Sequence, residues 1–84
     1  MLLFSIEFTQ SAEKQFGKLE SEVQERIISA IERLRLRPDE HLVKLVGSNS
    51  YKFRVGDYRA ICVIDYAKEC IYVVKVGHRK NIYG

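Results

Sequence analysis

The chain has 84 residues, 46% hydrophobic and 30% charged, with one proline and five glycines, a composition that fits one small globular domain over residues 1–84 and excludes a low-complexity or disordered chain. No apolar run approaches about 18 residues, and residues 1–7 meet an acid too early for a signal peptide, so a cytoplasmic protein without a membrane span is expected. Net charge is +3, but residues 1–40 carry six Lys and Arg against eight Asp and Glu, and residues 41–84 carry eight against three. The basic back half is therefore expected to meet an anion.

Leu2 to Phe8 alternates, with Phe4, Ile6 and Phe8 on one side, which predicts a half-buried strand. Thr9 or Ser11 then offers a helix N-cap, and Ala12, Phe16 and Leu19 recur at helical spacing, with Gly17 inside the pattern weakening the helix by about 1 kcal/mol relative to Ala. Ser21 and Gln24 fit a capping box for a second helix, along which Val23, Ile27, Ala30, Ile31 and Leu34 form one stripe. Arg33, Arg35 and Arg37 suit the negative end of its macrodipole, and Pro38 ends it. A polar connection containing His41, Leu42, Val43 and Leu45 leads to three strands, near residues 51–55, 58–65 and 71–76. Gly56-Asp57 between the first two is a two-residue type II′ loop. The pattern β-αα-βββ predicts an α+β domain with both helices on one face of a mostly antiparallel sheet.

The register implied by that loop sets Val55 opposite Tyr58, Arg54 opposite Arg59 and Lys52 opposite Ile61. Tyr51, Phe53, Val55, Tyr58, Ala60, Cys62 and Ile64 then share the face that takes the helices, and Lys52, Arg54 and Arg59 share the other. A three-residue loop, Ala67-Lys68-Glu69, keeps Val74 and Val76 on the apolar face, sets Cys70 opposite Tyr66, and adds Lys75 and Arg79 to the cationic one. Like charges directly opposite each other destabilise a sheet. Five cations with no acid at an alternating position among them indicate an anion-binding surface, and arginine grips phosphate with two parallel donors. A solvated basic face is the plain alternative. His78 is a candidate proton-transfer group, and Tyr83 could stack on a base or donate a proton. Cys62 and Cys70 lack CxxC spacing, and neither a zinc site nor a disulfide framework is expected.

The segment Tyr51-Lys52-Phe53-Arg54-Val55-Gly56-Asp57-Tyr58-Arg59, followed by Val76-Gly77-His78-Arg79 and Tyr83, closely resembles the RelE/ParE superfamily of bacterial and archaeal toxins. The likeness extends to Phe8-Thr9-Gln10-Ser11-Ala12-Glu13-Lys14 after the first strand and to Leu45-Val46-Gly47. It implies a RelE-like fold and a toxin neutralised by a RelB-like antitoxin that wraps it with an extended helical segment. RelE-type members cut mRNA in the decoding site of the ribosome, and the resemblance maps their catalytic groups onto Lys52, Arg54, Arg59, Arg79 and Tyr83. Lys75, His78, Lys80 and Lys44 are expected to contact RNA around them. The expected function is that of a ribosome-dependent endoribonuclease that uses the RNA 2′-hydroxyl, needs no metal or other cofactor, and has ribosome and mRNA as partners. ParE-type members instead poison DNA gyrase without nuclease activity, and an inactive homologue that only binds antitoxin is a third possibility.

Overall fold

A computed structural model describes residues 3–38, 42–45, 47 and 49–80. Strand β1 (Ser5–Phe8) leads into helices α1 (Gln10–Gly17) and α2 (Ser21–Leu34), and strands β2 (Val43–Lys44), β3 (Ser50–Val55), β4 (Tyr58–Asp65) and β5 (Cys70–His78) follow. They form one five-stranded sheet in the order β1-β5-β4-β3-β2. β1 pairs parallel with β5, and every other pairing is antiparallel. The α+β architecture expected from the sequence is the one observed, with β2 added. A two-residue strand carries no periodicity from which it could be read.

The helices start differently from one another. Thr9 caps α1, its hydroxyl accepting from the Ala12 N–H at 3.2 Å. Gly17 closes α1 instead of interrupting it. The expected capping box at Ser21 does not form: Glu20 is the N-cap of α2 and makes no side-chain cap bond. The Gln24 amide donates instead to the Phe16 carbonyl at 2.9 Å, satisfying an acceptor at the end of α1 and fastening the two helices together. At its far end α2 closes with Arg35 as C-cap, ahead of Pro38. Arg35 and Phe4 then exchange bonds, the Phe4 N–H to the Arg35 carbonyl at 2.8 Å and the Arg35 Nε to the Phe4 carbonyl at 2.9 Å.

Ala12 from α1 and Ile27, Ile31 and Leu34 from α2 are buried against Phe53, Ala60, Cys62, Ile71, Val73 and Val76 of the sheet. Each fully buried aliphatic or aromatic side chain contributes about 1.5–3 kcal/mol, and this one layer carries most of the domain's stability.

The β3–β4 register is the expected one, with Val55 opposite Tyr58, Arg54 opposite Arg59 and Lys52 opposite Ile61. Gly56 has a positive φ of 58° and Asp57 does not, as a type II′ turn requires. The β4–β5 hairpin departs from expectation twice. Its loop has four residues, because Cys70 pairs with Asp65 and not with Tyr66, and Glu69 takes the left-handed conformation at φ 52°. The ladder then shifts: Cys62 pairs with Val73 and Ile61 with Lys75, leaving Val74 unpaired as a β-bulge. Val73, not Val74, enters the core. The longer loop and the bulge cancel, so Val76 still faces the helices and Lys75 still faces away.

A candidate anion-binding face

The helices cover one side of the sheet. On the other, alternation from the observed pairs gathers Lys52 and Arg54 from β3, Arg59 from β4 and Lys75 from β5. Arg79 follows in phase, its N–H donating to the Asp57 carbonyl at 2.8 Å as the ladder's next rung. Arg54, Arg59 and Gly77 form one cross-strand row, and Val43, Lys52, Ile61 and Lys75 the next. Arg54, Lys75 and Arg79 are exposed, and Lys52 and Arg59 are half-buried. None of the five makes an ion pair among the described residues. The Arg59 Nε is a buried donor without a hydrogen-bond partner among them.

The open face is polarised. Beyond the cations lie Ile61 and Val63, then Cys70 and Tyr72, with Glu7 and Asp65 towards the opposite end. Ile61 is 6% exposed although it points away from the helices. The Cys70 thiol donates to Glu7 Oε2 at 3.4 Å, and burial followed by that bond pushes its pKa up. Glu7 and Asp65 therefore stand away from the basic cluster, and Asp57, next to Arg79 in the ladder, makes no ion pair with it among the described residues. Coulomb repulsion among the five is the standing cost of the arrangement. An incoming polyanion removes it.

Two of the expected RNA contacts lie on the helix side of the sheet. His78 pairs with Tyr58 on the helix side of the sheet, its ring edge-on to the Tyr58 ring at 5.4 Å between centroids, in a cleft with Gln15, Lys18 and Leu19. Lys44 is exposed opposite Tyr51, also on the helix side, at the sheet edge. Lys80 is exposed in the turn after β5, its N–H donating to His78 Nδ1 at 3.2 Å. Lys75 of that group joins the cluster. Tyr83 and His41 lie outside the described residues.

Two cations border the site that the sequence does not assign to it, Arg26 and Arg33, the latter read there only as a helix-end charge. Arg26 and Arg33 of α2 line a groove with Arg54, Val55 and Gly56, and Arg26 Nη2 approaches Gly56 so closely that a Cβ there would sit 3.3 Å from it. Their seven-residue spacing, two turns of one helix face, was the available signal. Among the described residues no group of three or more His, Cys, Asp or Glu is placed to hold a metal ion, and no helix is long and apolar enough to cross a membrane.

Residues 6–83 match the family model described as the ParE toxin of the type II toxin-antitoxin system parDE. The chain belongs to this family. It is a toxin of the RelE/ParE superfamily, as the resemblance of its β3–β4 segment implied. No curated protein matches the toxin. Among solved structures it is similar to the RelBE2 toxin-antitoxin complex of Mycobacterium tuberculosis, with a TM-score of 0.83 at 20% identity over 96% of this chain and 97% of that one. The intact RelBE complex of E. coli gives 0.79 at 25% identity over 89% and 95%. A YoeB/ParE toxin from Agrobacterium tumefaciens gives 0.73 at 13% identity over 89% and 98%. The toxin shares the fold of all three.

Proposed function

We propose that this toxin is a ribosome-dependent mRNA endonuclease acting in the cytoplasm through its cationic sheet face. The observation that carries the reading is the cluster of Lys52, Arg54, Arg59, Lys75 and Arg79 without a paired acid among the described residues. In such a reaction the 2′-hydroxyl of the RNA attacks the neighbouring phosphorus, a base takes its proton, and the 5′-oxygen leaves with a proton from a general acid. The product is a 2′,3′-cyclic phosphate and a new 5′-hydroxyl. Arg59 and Arg79 supply fixed positive charge to the phosphorane, where preorganised donors contribute most. Base and acid come from Lys52 and Tyr83, and Arg54 adds fixed positive charge beside them. The ribosome holds the message in line for attack, contributing orientation that an isolated basic face lacks.

The partner that restrains such a toxin is a protein antitoxin. An acidic, RelB-like segment wrapping the domain would cover the basic face or the groove between Arg26, Arg33 and Arg54. The toxin-antitoxin complexes among its structural relatives support this reading.

A second reading, a gyrase poison without nuclease activity, is favoured by the name of the matching family model. Primer extension on mRNA from a translating extract separates the two. Ribosome-dependent cuts within codons are expected. Intact message together with trapped gyrase–DNA complexes would replace the nuclease by the poison.

A further inference from the structure

The cleft on the helix side of the sheet stands behind the arginines of the open face. Tyr58 precedes Arg59 and His78 precedes Arg79, so alternation sends each ring to the side opposite its basic neighbour. The two half-buried rings face each other across the ladder and wall an open cleft of about 320 Å³ with Gln15, Lys18, Leu19 and Val76. Apolar walls with a few placed polar groups are the usual make-up of a small-ligand site.

The polar groups still free decide what such a site takes. The Gln15 oxygen already accepts the Val76 N–H at 2.9 Å, which fixes the amide's orientation and leaves its NH2 donors. His78 Nδ1 already accepts the Lys80 N–H at 3.2 Å, so the neutral ring carries its proton on Nε2. Neither the Gln15 amide nitrogen nor His78 Nε2 has a partner among the described residues, and the Lys18 ammonium has no ion pair among them. The fold has thus used the acceptors of both side chains and left three donor groups, with the Tyr58 hydroxyl able to serve either way.

We infer that this cleft holds one unstacked base of single-stranded RNA and prefers guanine or uracil to adenine or cytosine. Guanine offers O6 and N7 and uracil offers O4, acceptors for these donors, whereas the exocyclic amines of adenine and cytosine set donor against donor. A planar base also uses the aromatic and aliphatic walls, which a carboxylate or a bare phosphate leaves idle. The inference rests on the reading of the opposite face as an RNA surface and adds a base contact where the strand rounds the end of β4 and β5.

The test uses four nine-nucleotide strands methylated at every 2′-oxygen, which cannot be cleaved. The central nucleotide carries guanine, uracil, adenine or cytosine and the others are abasic, with binding followed by fluorescence anisotropy. The guanine and uracil strands are expected to bind about tenfold more tightly than the other two. Gln15→Glu keeps an acceptor for the Val76 N–H but replaces the amide donors by a second acceptor. It should weaken all four strands through its charge and move the preference towards adenine and cytosine. Equal binding of the four strands by the wild type overturns the inference, and that comparison decides alone if Gln15→Glu fails to fold. A Gln15→Glu effect common to all four strands overturns it too, giving the donors to a phosphate or a carboxylate. Arg59→Ala tells the two readings apart: if it weakens every strand while the wild type shows no base preference, the cleft alone is wrong. If Arg59→Ala binds every strand like wild type, RNA does not use the open face and both readings fall.

Discussion

The Gln15 side-chain oxygen accepts the backbone N–H of Val76 at 2.9 Å, so a residue of α1 completes the hydrogen bonding of β5. β1 stops at Phe8, opposite Val73, and the Thr9 N–H makes the last bond on that side, to the Val73 carbonyl at 3.0 Å. Past that point β5 has lost its parallel neighbour, and Gln15 provides the acceptor. The contact sits just beyond the bulge at Val74 and holds in place the segment that presents Lys75, Gly77 and Arg79.

Gln15→Ala should cost about 1–3 kcal/mol, the usual result of leaving a buried N–H without its acceptor. Urea denaturation measures the loss. Amide hydrogen exchange should show it concentrated at Val76 and its neighbours. An unchanged unfolding midpoint would mean that water replaces Gln15 without loss.

Arg59→Ala and Arg79→Ala should each lower ribosome-dependent cleavage about 10²–10³-fold, as removal of one preorganised donor does. Neither should destabilise the fold by more than a few tenths of a kcal/mol, because both groups point away from the core and relieve repulsion when removed. Primer extension and thermal melting on the same preparations read the two effects separately. Wild-type cutting in either variant would remove that arginine from the site.

Phe53 and Arg54 are adjacent in β3 and should respond in opposite ways. Phe53 is 7% exposed within the core, so Phe53→Ala should cost roughly 3–5 kcal/mol. Arg54→Ala should be neutral or slightly stabilising, since Arg54 directly faces Arg59. The same change should weaken binding to ribosomes, by a margin that shrinks as salt rises. Equal loss of stability in both variants would contradict the face assignment.

Cys62 is fully buried, and desolvation pushes its thiol from the usual 9.0 up to about 12. In the unfolded chain the thiol ionises near its ordinary value, whereas the folded protein keeps the proton. The folded form thus binds more protons between about pH 9 and 12, and stability is complete below that window and falls through it by up to about 1.4 kcal/mol per pH unit. Cys62→Ala should flatten the decline measured by denaturation between pH 8.5 and 10.5, leaving a residual slope of the same sign from Cys70. An unaltered slope would place the alkaline sensitivity elsewhere.

The cationic face was legible because a two-residue loop with a leading glycine fixes the pairing of everything beside it. Arg54 opposite Arg59 follows from Gly56-Asp57 alone. A bulge leaves no mark in the run Ile71-Tyr72-Val73-Val74, where either parity looks satisfactory, so simple alternation puts Val74 on the wrong side. The basic character of His78, Lys44 and Lys80 suggested a role at the face, yet composition says nothing about which side a residue takes. Pairing with Tyr58 and Tyr51 turns His78 and Lys44 towards the helices. Gln24 fits a capping box in sequence, and proximity to the end of α1, a tertiary fact, gives it the Phe16 carbonyl instead.

The parallel pairing of β1 with β5 also governs the order in which the molecule can be made. β5 lies between β1 and β4 and brings Ile71, Val73 and Val76 to the core. During synthesis β1 and both helices leave the ribosome long before it, with no strand to receive β1 and half of the sheet's inner surface missing. Such non-local pairing is paid for in loop entropy before any contact rewards it, and folding waits accordingly. Lys75 and Arg79 arrive with that same strand. A nascent toxin therefore has neither a closed core nor a complete set of cations while most of its length is already outside.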